Sequence, residues 1–389
     1  MPSSIDNAFD NTFDNTFNTA WDRRDTAATK WERYAGSDVL PFWVADMEFP
    51  SPPAVIAALH ARIDHGIFGY TNVSDSLRQQ VIEQMARDYD WQVAPEWLLW
   101  LPGVVPGLNV ACRTLGEPGD GIITAVPIYH PFLEAPANAH RRRVDAHLAL
   151  RGQRWEMDLE HVQTDIDART RGFLLSNPHN PTGRVYTRPE LLELAAFAER
   201  HDLILVSDEI HAGLILDPES RHLPIASLAP EIARRSITLM APTKTYNMPG
   251  LGCAFAVIPD ADLRRRFKAA GNGFLAHVGP LAITAAEAAY RHGGPWLQAL
   301  LQRLRANRDR LQAAVNAMPG LTMTPVEATC LAWIDARALD VDDPHRFFEA
   351  AGVGLSPGAQ FGSPGFVRFN FGCAPEMLEA GIRRMQTVL

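Results

Sequence analysis

The sequence predicts an α/β protein whose mostly parallel sheet is covered by helices on both faces, joined to a smaller C-terminal domain. Three observations predict it. Short apolar runs recur through the middle of the chain, each ending in a polar or glycine-rich loop. Helical stretches such as Arg188–His201 lie between several of them, and strand–helix alternation calls for parallel strands joined by crossovers. At 389 residues the chain exceeds what one ordinary core holds, so a second unit is expected.

Composition narrows the partners. With 47% hydrophobic and 21% charged residues the chain is globular rather than unstructured. A net charge of −9 disfavours nucleic acid and anionic membrane surfaces as partners. Cys112, Cys253, Cys330 and Cys373 lie far apart without paired ligand spacing, which fits reduced thiols in a cytoplasmic protein and no metal centre. No apolar run has the length of a membrane span, and the first residues lack the basic-then-apolar form of a secretion signal.

Residues 1–30 read as an N-terminal arm. FDNT occurs at Phe9–Thr12 and again at Phe13–Thr16, and Phe9, Phe13, Phe17 and Trp21 recur every four residues. That spacing lines one helical face, although Asn, Asp and Thr are poor helix interiors. The arm is expected to dock on a neighbouring surface or to lack structure alone. Residues 31–55 form a segment packing on the small domain, with a short apolar stretch at Leu40–Val44 and a proline-broken turn at Met47–Pro53.

The large domain is expected over 56–290. A helix starts near Pro52, GIFGYT (Gly66–Thr71) is a loop, and a second helix runs from Asp75 to Asp90 with Asp75 as its cap. Leu98–Leu101 then leads into PGVVPGL, Ile122–Val126 into PIYHPF, and Phe173–Leu175 into SNPHNPTGR. Leu203–Val206 leads into SDEIH, and Ile237–Met240 into APTKTYNMPG. Ligands of such sheets bind outside the carboxyl ends of the strands. Those loops therefore converge, bringing together Gly103, Tyr129, Asn180, Asp208 with His211, and Lys244. Long helix follows from Val278 to about Met318, broken at His292–Pro295 where the chain enters the small domain at 291–389. Strand candidates there are Thr329–Ile334 and Phe366–Phe371, with a closing helix from Glu376.

Lysine is scarce: Lys30, Lys244 and Lys268 are the only three among 36 Lys and Arg. Arginine stays protonated, whereas a desolvated lysine loses its proton and forms a Schiff base. A pyridine aldehyde fits the converging groups. Lys244 takes the aldehyde, and Asp208 keeps the ring nitrogen protonated. Asn180 and His211 donate to the ring oxygen, and Tyr129 stacks on the ring. PGVVPGL supplies N–H groups at a helix start, suited to a phosphate, though without the Gly-Lys-Ser/Thr ending of a P-loop. Singly, each group has an ordinary structural explanation; their shared place at strand ends is the specific signal. No GxGxxG follows a strand where a nicotinamide dehydrogenase needs it.

The motifs VLPFWVADMEFPSP, GIFGYT, PGVVPGL, PIYHPF, NPHNPTGRVYT, SDEIHAGL, TKTYNMPGL and VRFNFG span nearly the whole chain after Lys30. Together they resemble fold-type I pyridoxal-phosphate enzymes of the class I/II aminotransferase superfamily, in the MalY/PatB branch of cystathionine β-lyase-like C–S lyases. The resemblance implies an aspartate aminotransferase-like three-layer large domain and an α+β small domain. It implies that Lys244 is the Schiff-base lysine and general base, Asp208 the ring-nitrogen partner, and Asn180 and His211 the ring-oxygen ligands. Tyr129 is then the stacking aromatic, with Val104, Val105 and Thr243 on the phosphate. Arg368 clamps the substrate carboxylate, and Ala45, His130 and Asn180 flank the substrate. Tyr70 is a phosphate ligand lent by the second subunit of a homodimer.

Two positions depart from the pattern. Ala241 stands where relatives carry a hydroxyl on the phosphate, leaving Thr243 or Thr245 to substitute, and His130 replaces a second tyrosine. The activity implied is α,β-elimination on L-cystathionine or a related S-substituted L-cysteine, giving thiol, pyruvate and ammonia. The alternatives are transamination of an L-amino acid with the same residues, and a cofactor-binding regulator for which the aromatic arm is the only support.

Overall fold

The computed structural model describes residues 13–389. The Phe9–Thr12 copy of the repeat lies outside these. The second copy enters a short helix, Asp14–Asn18, and the arm docks on its own chain. Phe17 is buried, edge-on to Phe49 at 5.1 Å and tilted against Trp296 at 5.4 Å. The four-residue spacing does not line one face throughout, because the helix ends at Asn18 and Trp21 is 44% exposed. Phe17→Ala is expected to lower unfolding free energy by about 3 kcal/mol, read as a lower denaturant midpoint at unchanged slope.

Leu40–Pro41 (β1) is a two-residue strand that pairs with Val353–Gly354 far along the chain. The helix Pro53–His65 follows. The next helix, Asp75–Tyr89, is capped by Ser74, whose Oγ accepts from Leu77 N–H, and not by Asp75 as the sequence suggested. The large sheet contains β2 (Leu98–Leu101), β3 (Gly121–Val126), β4 (Arg142–Arg151), β5 (Arg154–Met157) and β6 (Thr170–Ser176). It is completed by β7 (Ile204–Asp208), β8 (Ser236–Met240) and β9 (Ala254–Val257). The order is β2-β9-β8-β7-β6-β3-β4-β5. The central run from β8 through β4 is parallel, while β9 and β5 are antiparallel to their neighbours.

Alternation along the strands feeds two cores. Phe173, Leu175 and Leu205 face one layer with Leu191, Leu194 and Phe197 of helix Arg188–Arg200. Leu174, Val206, Ile237 and Leu239 face the other, with Leu108 and Val110 of helix Val104–Thr114. That helix lies close to the sheet because Gly107 has no side chain: a Cβ there would sit 2.7 Å from Leu101 Cδ1.

The second sheet is antiparallel. It holds β10 (Thr322–Met323), β11 (Leu331–Asp335), β13 (Ser356–Pro357) and β14 (Phe366–Asn370), in the order β10-β11-β14-β13. Between β11 and β13, Val353–Gly354 (β12) pairs with β1 in parallel. Helices Gly294–Val315 and Pro375–Thr387 pack against each other beside this sheet. On β14, Val367 and Phe369 point into the core, leaving Arg368 and Asn370 on the face that meets residues 42–46. Among the described residues no helix is long and apolar enough to cross a membrane.

Candidate active site

The carboxyl ends of β3, β6, β7 and β8 open on one side of the sheet, where the chain passes from one flank of β3 to the other. There they enclose a cavity of about 200 Å³. Pairing sets the levels: Asp208 lies opposite Ser176 on β6 and Leu239 on β8. The cavity is lined by Lys244 and Thr243 after β8, Asp208 at the end of β7 and His211 just beyond it, Asn180 after β6 and Tyr129 after β3. Gly103, Val104 and Val105 line it from the start of helix Val104–Thr114, and Ala45 completes the wall. Gly252, after the lysine loop, also lines the cavity, and any Cβ there would strike the Pro102 carbonyl.

Burial governs the charges. It pushes Asp208 up to about 7, helped by Glu209 and opposed by the Ile210 N–H, which donates to Asp208 Oδ1 at 3.0 Å, and by Lys244. Burial pushes His211 down to about 3, so its imidazole is neutral, and its Nδ1 has no partner. Burial also pushes Lys244 down and Tyr129 up. The Lys244 amine donates to the Ala45 carbonyl at 3.2 Å. Beneath the site, Glu209 accepts from Ser207 Oγ and from His222 Nε2, both at 2.8 Å, which fixes the turn that carries Asp208.

Arg368 reaches the edge of this cavity from β14. It is 4% exposed, and burial pushes it down to about 10. Its Nη1 donates to Asn180 Oδ1 at 2.9 Å, its Nη2 to the Trp43 carbonyl at 2.8 Å, and its Nε is unpartnered. Arginine only donates, so the Asn180 amide oxygen faces it and the NH₂ is left for another acceptor. His130 meets Tyr129 edge-on at 4.7 Å and is half-buried outside the cavity wall. Of the two threonines near the lysine, Thr243 lines the cavity and Thr245 packs against Gly213; Ala241 is buried. Tyr70 is fully exposed and is not brought to the cavity within one chain.

Two asparagines that the sequence reading did not single out fix the wall around Ala45. Asn370 Nδ2 donates to the Val44 and Asp46 carbonyls, at 2.5 and 2.8 Å. From the other side Asn247 accepts from Met47 N–H at 2.8 Å and donates to the Met47 and Phe49 carbonyls. Asn247 has φ +49°, a region asparagine tolerates better than most residues. The NMPG turn beside the lysine was the available signal.

A family model described as aminotransferase class I and II matches residues 37–385. The chain belongs to that family. Among class I and II members it is 36% identical over 381 residues to cystathionine β-lyase PatB of Bacillus subtilis, covering 95% of this chain and 98% of PatB. The crystal structure of OvoB superposes with a TM-score of 0.94 at 47% identity, over 96% of this chain and 98% of OvoB. The pyridoxal-phosphate-bound C–S lyase of Staphylococcus hominis superposes with a TM-score of 0.90 at 30% identity, over 96% of this chain and 97% of the lyase. The fold is therefore the aspartate aminotransferase-like fold type I.

Proposed function

We propose that the protein is a pyridoxal-phosphate-dependent carbon–sulfur lyase acting on L-cystathionine or a related S-substituted L-cysteine, with thiol, pyruvate and ammonia as products. One observation carries the reading. Lys244, Asp208, Asn180, His211 and Tyr129 surround a single cavity, with the buried Arg368 at its edge. The residues fit the cofactor: Lys244 offers an amine to the aldehyde, Arg368 and a helix start offer positive potential to a carboxylate and a phosphate, and the Nδ1 of buried His211 is left without a protein partner.

When bound, pyridoxal phosphate supplies an electron sink for the pair left at the substrate α-carbon. The chain's own groups do the rest. Lys244 is the amine that would hold the aldehyde, and its free amine is the group placed to take the α-proton. Burial lowers its basicity, the direction that favours the free amine this role needs. Asp208 would hold the ring N–H through a charge-assisted hydrogen bond, with Tyr129 as the aromatic wall of the cavity. The Asn180 amide and His211 would donate to the ring oxygen. The N–H groups of Val104 and Val105, with the Thr243 hydroxyl, would hold the phosphate, Pro106 having no N–H to add. Arg368 would grip the substrate carboxylate with its planar fork, and Ala45, on the cavity wall, would flank the side chain that leaves, with His130 behind the wall against Tyr129. A thiolate departs readily because its conjugate acid is far stronger than an alcohol.

In this reading residues 56–290 carry the cofactor, while 291–389 with the 31–55 segment cover it. The enzyme works as a cytoplasmic homodimer. Exposed Ile67, Phe68 and Tyr70 on one loop support that assembly, with Tyr70 lent to the neighbouring phosphate.

Two experiments test the reading. Purified protein supplied with pyridoxal phosphate and L-cystathionine is expected to release pyruvate and thiol without a keto-acid acceptor. Strict dependence on an acceptor would mean transamination instead. Arg368→Leu is expected to lose about 1.5–3 kcal/mol of carboxylate recognition, roughly ten- to a hundredfold in kcat/KM, mostly through KM. Arg368→Lys should recover little, because an ammonium lacks the fork.

A further inference from the structure

Beside Lys244 stands a carboxylate that the chemistry above does not use. Asp46 follows Ala45, the residue whose carbonyl accepts from Lys244 Nζ at 3.2 Å. Asp46 Oδ2 is paired with Arg23 Nη2 at 2.7 Å. The Asp46 backbone carbonyl accepts from Lys30 Nζ at 3.0 Å and from Asn370 Nδ2 at 2.8 Å. Its second carboxylate oxygen, Oδ1, is shut away from solvent and has no hydrogen-bond partner. A buried acceptor left without a donor is destabilising, the more so when charged, and native interiors rarely leave one.

The neighbouring cations are already committed. Lys30 Nζ lies 2.7 Å from Glu48 Oε1, with both side chains buried. The second terminal nitrogen of Arg23 lies 3.1 Å from the same oxygen. Lys244, by contrast, has the Ala45 carbonyl as its acceptor, and it lines the same chamber of about 680 Å³ as Asp46, Arg23 and Lys30.

We propose that Asp46 is the positioning residue of Lys244. Its Oδ1 is the counter-charge that the Lys244 ammonium meets whenever that amine is protonated. From the N-terminal segment, Arg23 holds the carboxylate through Oδ2 and Lys30 holds the Asp46 backbone carbonyl, and both cations temper the anion's strength. The proposal rests on the reading of Lys244 as the cofactor lysine and α-proton carrier, and adds what makes the proton-bound state tolerable in a buried site. Burial pushes Lys244 toward the neutral amine and the Arg368 charge adds to that, while the His211 side faces it without offering an anion. Cys330 and Asp208 also face it, but burial pushes the Cys330 thiol up to about 11 and Asp208 up to about 7. Burial pushes Asp46 up as well, yet Lys30 and Arg23 outweigh this and hold it below the usual carboxylate range, so it stays an anion.

The N-terminal segment thereby acquires a second task beyond packing Phe17. Removing the anion weakens Lys244 as a base, while removing the Arg23 charge strengthens it.

The test uses the cofactor-free full chain. Acetylation of Lys244 by acetic anhydride is followed against pH by peptide mass spectrometry, with exposed Lys268 as the internal reference. Asp46→Asn is expected to lower the Lys244 midpoint by about one pH unit, tenfold in the proton equilibrium, while Arg23→Met raises it. A merely structural role would not move the two variants in opposite directions. An unchanged midpoint in Asp46→Asn, or shifts of the same sign, would overturn the proposal. If Asp46→Asn does not fold, Arg23→Met decides alone: an upward shift supports the proposal and any other result sinks it. Because no cofactor is present, this outcome is separate from whether the protein proves to be a lyase.

Discussion

Lys244→Ala is expected to abolish pyruvate release from L-cystathionine. Loss of the α-proton carrier alone removes about 10²–10⁴ in rate, and the tether for the cofactor aldehyde goes with it. Lys244→Arg should be no better, since a guanidinium stays charged and cannot act as an amine nucleophile. The defect is chemical rather than structural. The Lys244 side chain makes one hydrogen bond in the described structure, to the Ala45 carbonyl, and the wall around Ala45 is fastened independently by Asn370 and Asn247. The variant is therefore expected to melt close to the parent. Added methylamine should restore part of the rate by supplying a small amine to the vacated space. Pyruvate release at the parental rate from Lys244→Ala would exclude the assignment of that lysine.

Asp208→Asn is expected to have opposite effects on the empty and the loaded protein. In the empty protein burial pushes Asp208 up to about 7, above the value of about 4 for an unfolded aspartate. Between these values the folded state binds the extra proton. The stability this group confers is fully present below about pH 4 and declines as pH rises to about 7. The burden of a buried anion is then constant at higher pH. Asparagine carries no such burden, so the empty variant should outlast the parent at pH 8 and lose that advantage on acidification. In the loaded protein the balance reverses. Asparagine cannot hold a ring N–H as a charged pair, which forfeits about 1.5–3 kcal/mol, and turnover should fall roughly ten- to a hundredfold. Melting curves of both forms at pH 5 and 8, with pyruvate assays, read both effects. An empty variant no more stable than the parent at pH 8 would contradict the charge state given to Asp208.

Much of this architecture is legible in the sequence because it is local. Phe173–Leu175, Leu203–Val206 and Ile237–Met240 are continuous apolar runs, as strands buried on both faces must be, and each ends at a polar loop. What escaped has other causes. β4 and β5 alternate polar and apolar residues at the sheet edge, so they present no continuous run. β9 is apolar but short and follows a glycine-rich turn, which hides it beside the lysine loop. The fastening of Trp43–Phe49 depends on Asn247, some 200 positions away, and Asn370, more than 300 away, and no local pattern encodes such contacts. Asp46 sat inside a recognised motif, but its lone oxygen shows only when Arg23, Lys30 and Lys244 are seen around it. Tyr70 is a different case: the motif around it is readable, but its side chain stands free of its own chain's cavity.

The most direct test of the account is borohydride reduction of the protein loaded with pyridoxal phosphate, followed by peptide mapping. The account predicts one reduced cofactor per chain, attached to the nitrogen of Lys244. An adduct on Lys30 or Lys268 instead, or a protein that retains no cofactor to reduce, would contradict it.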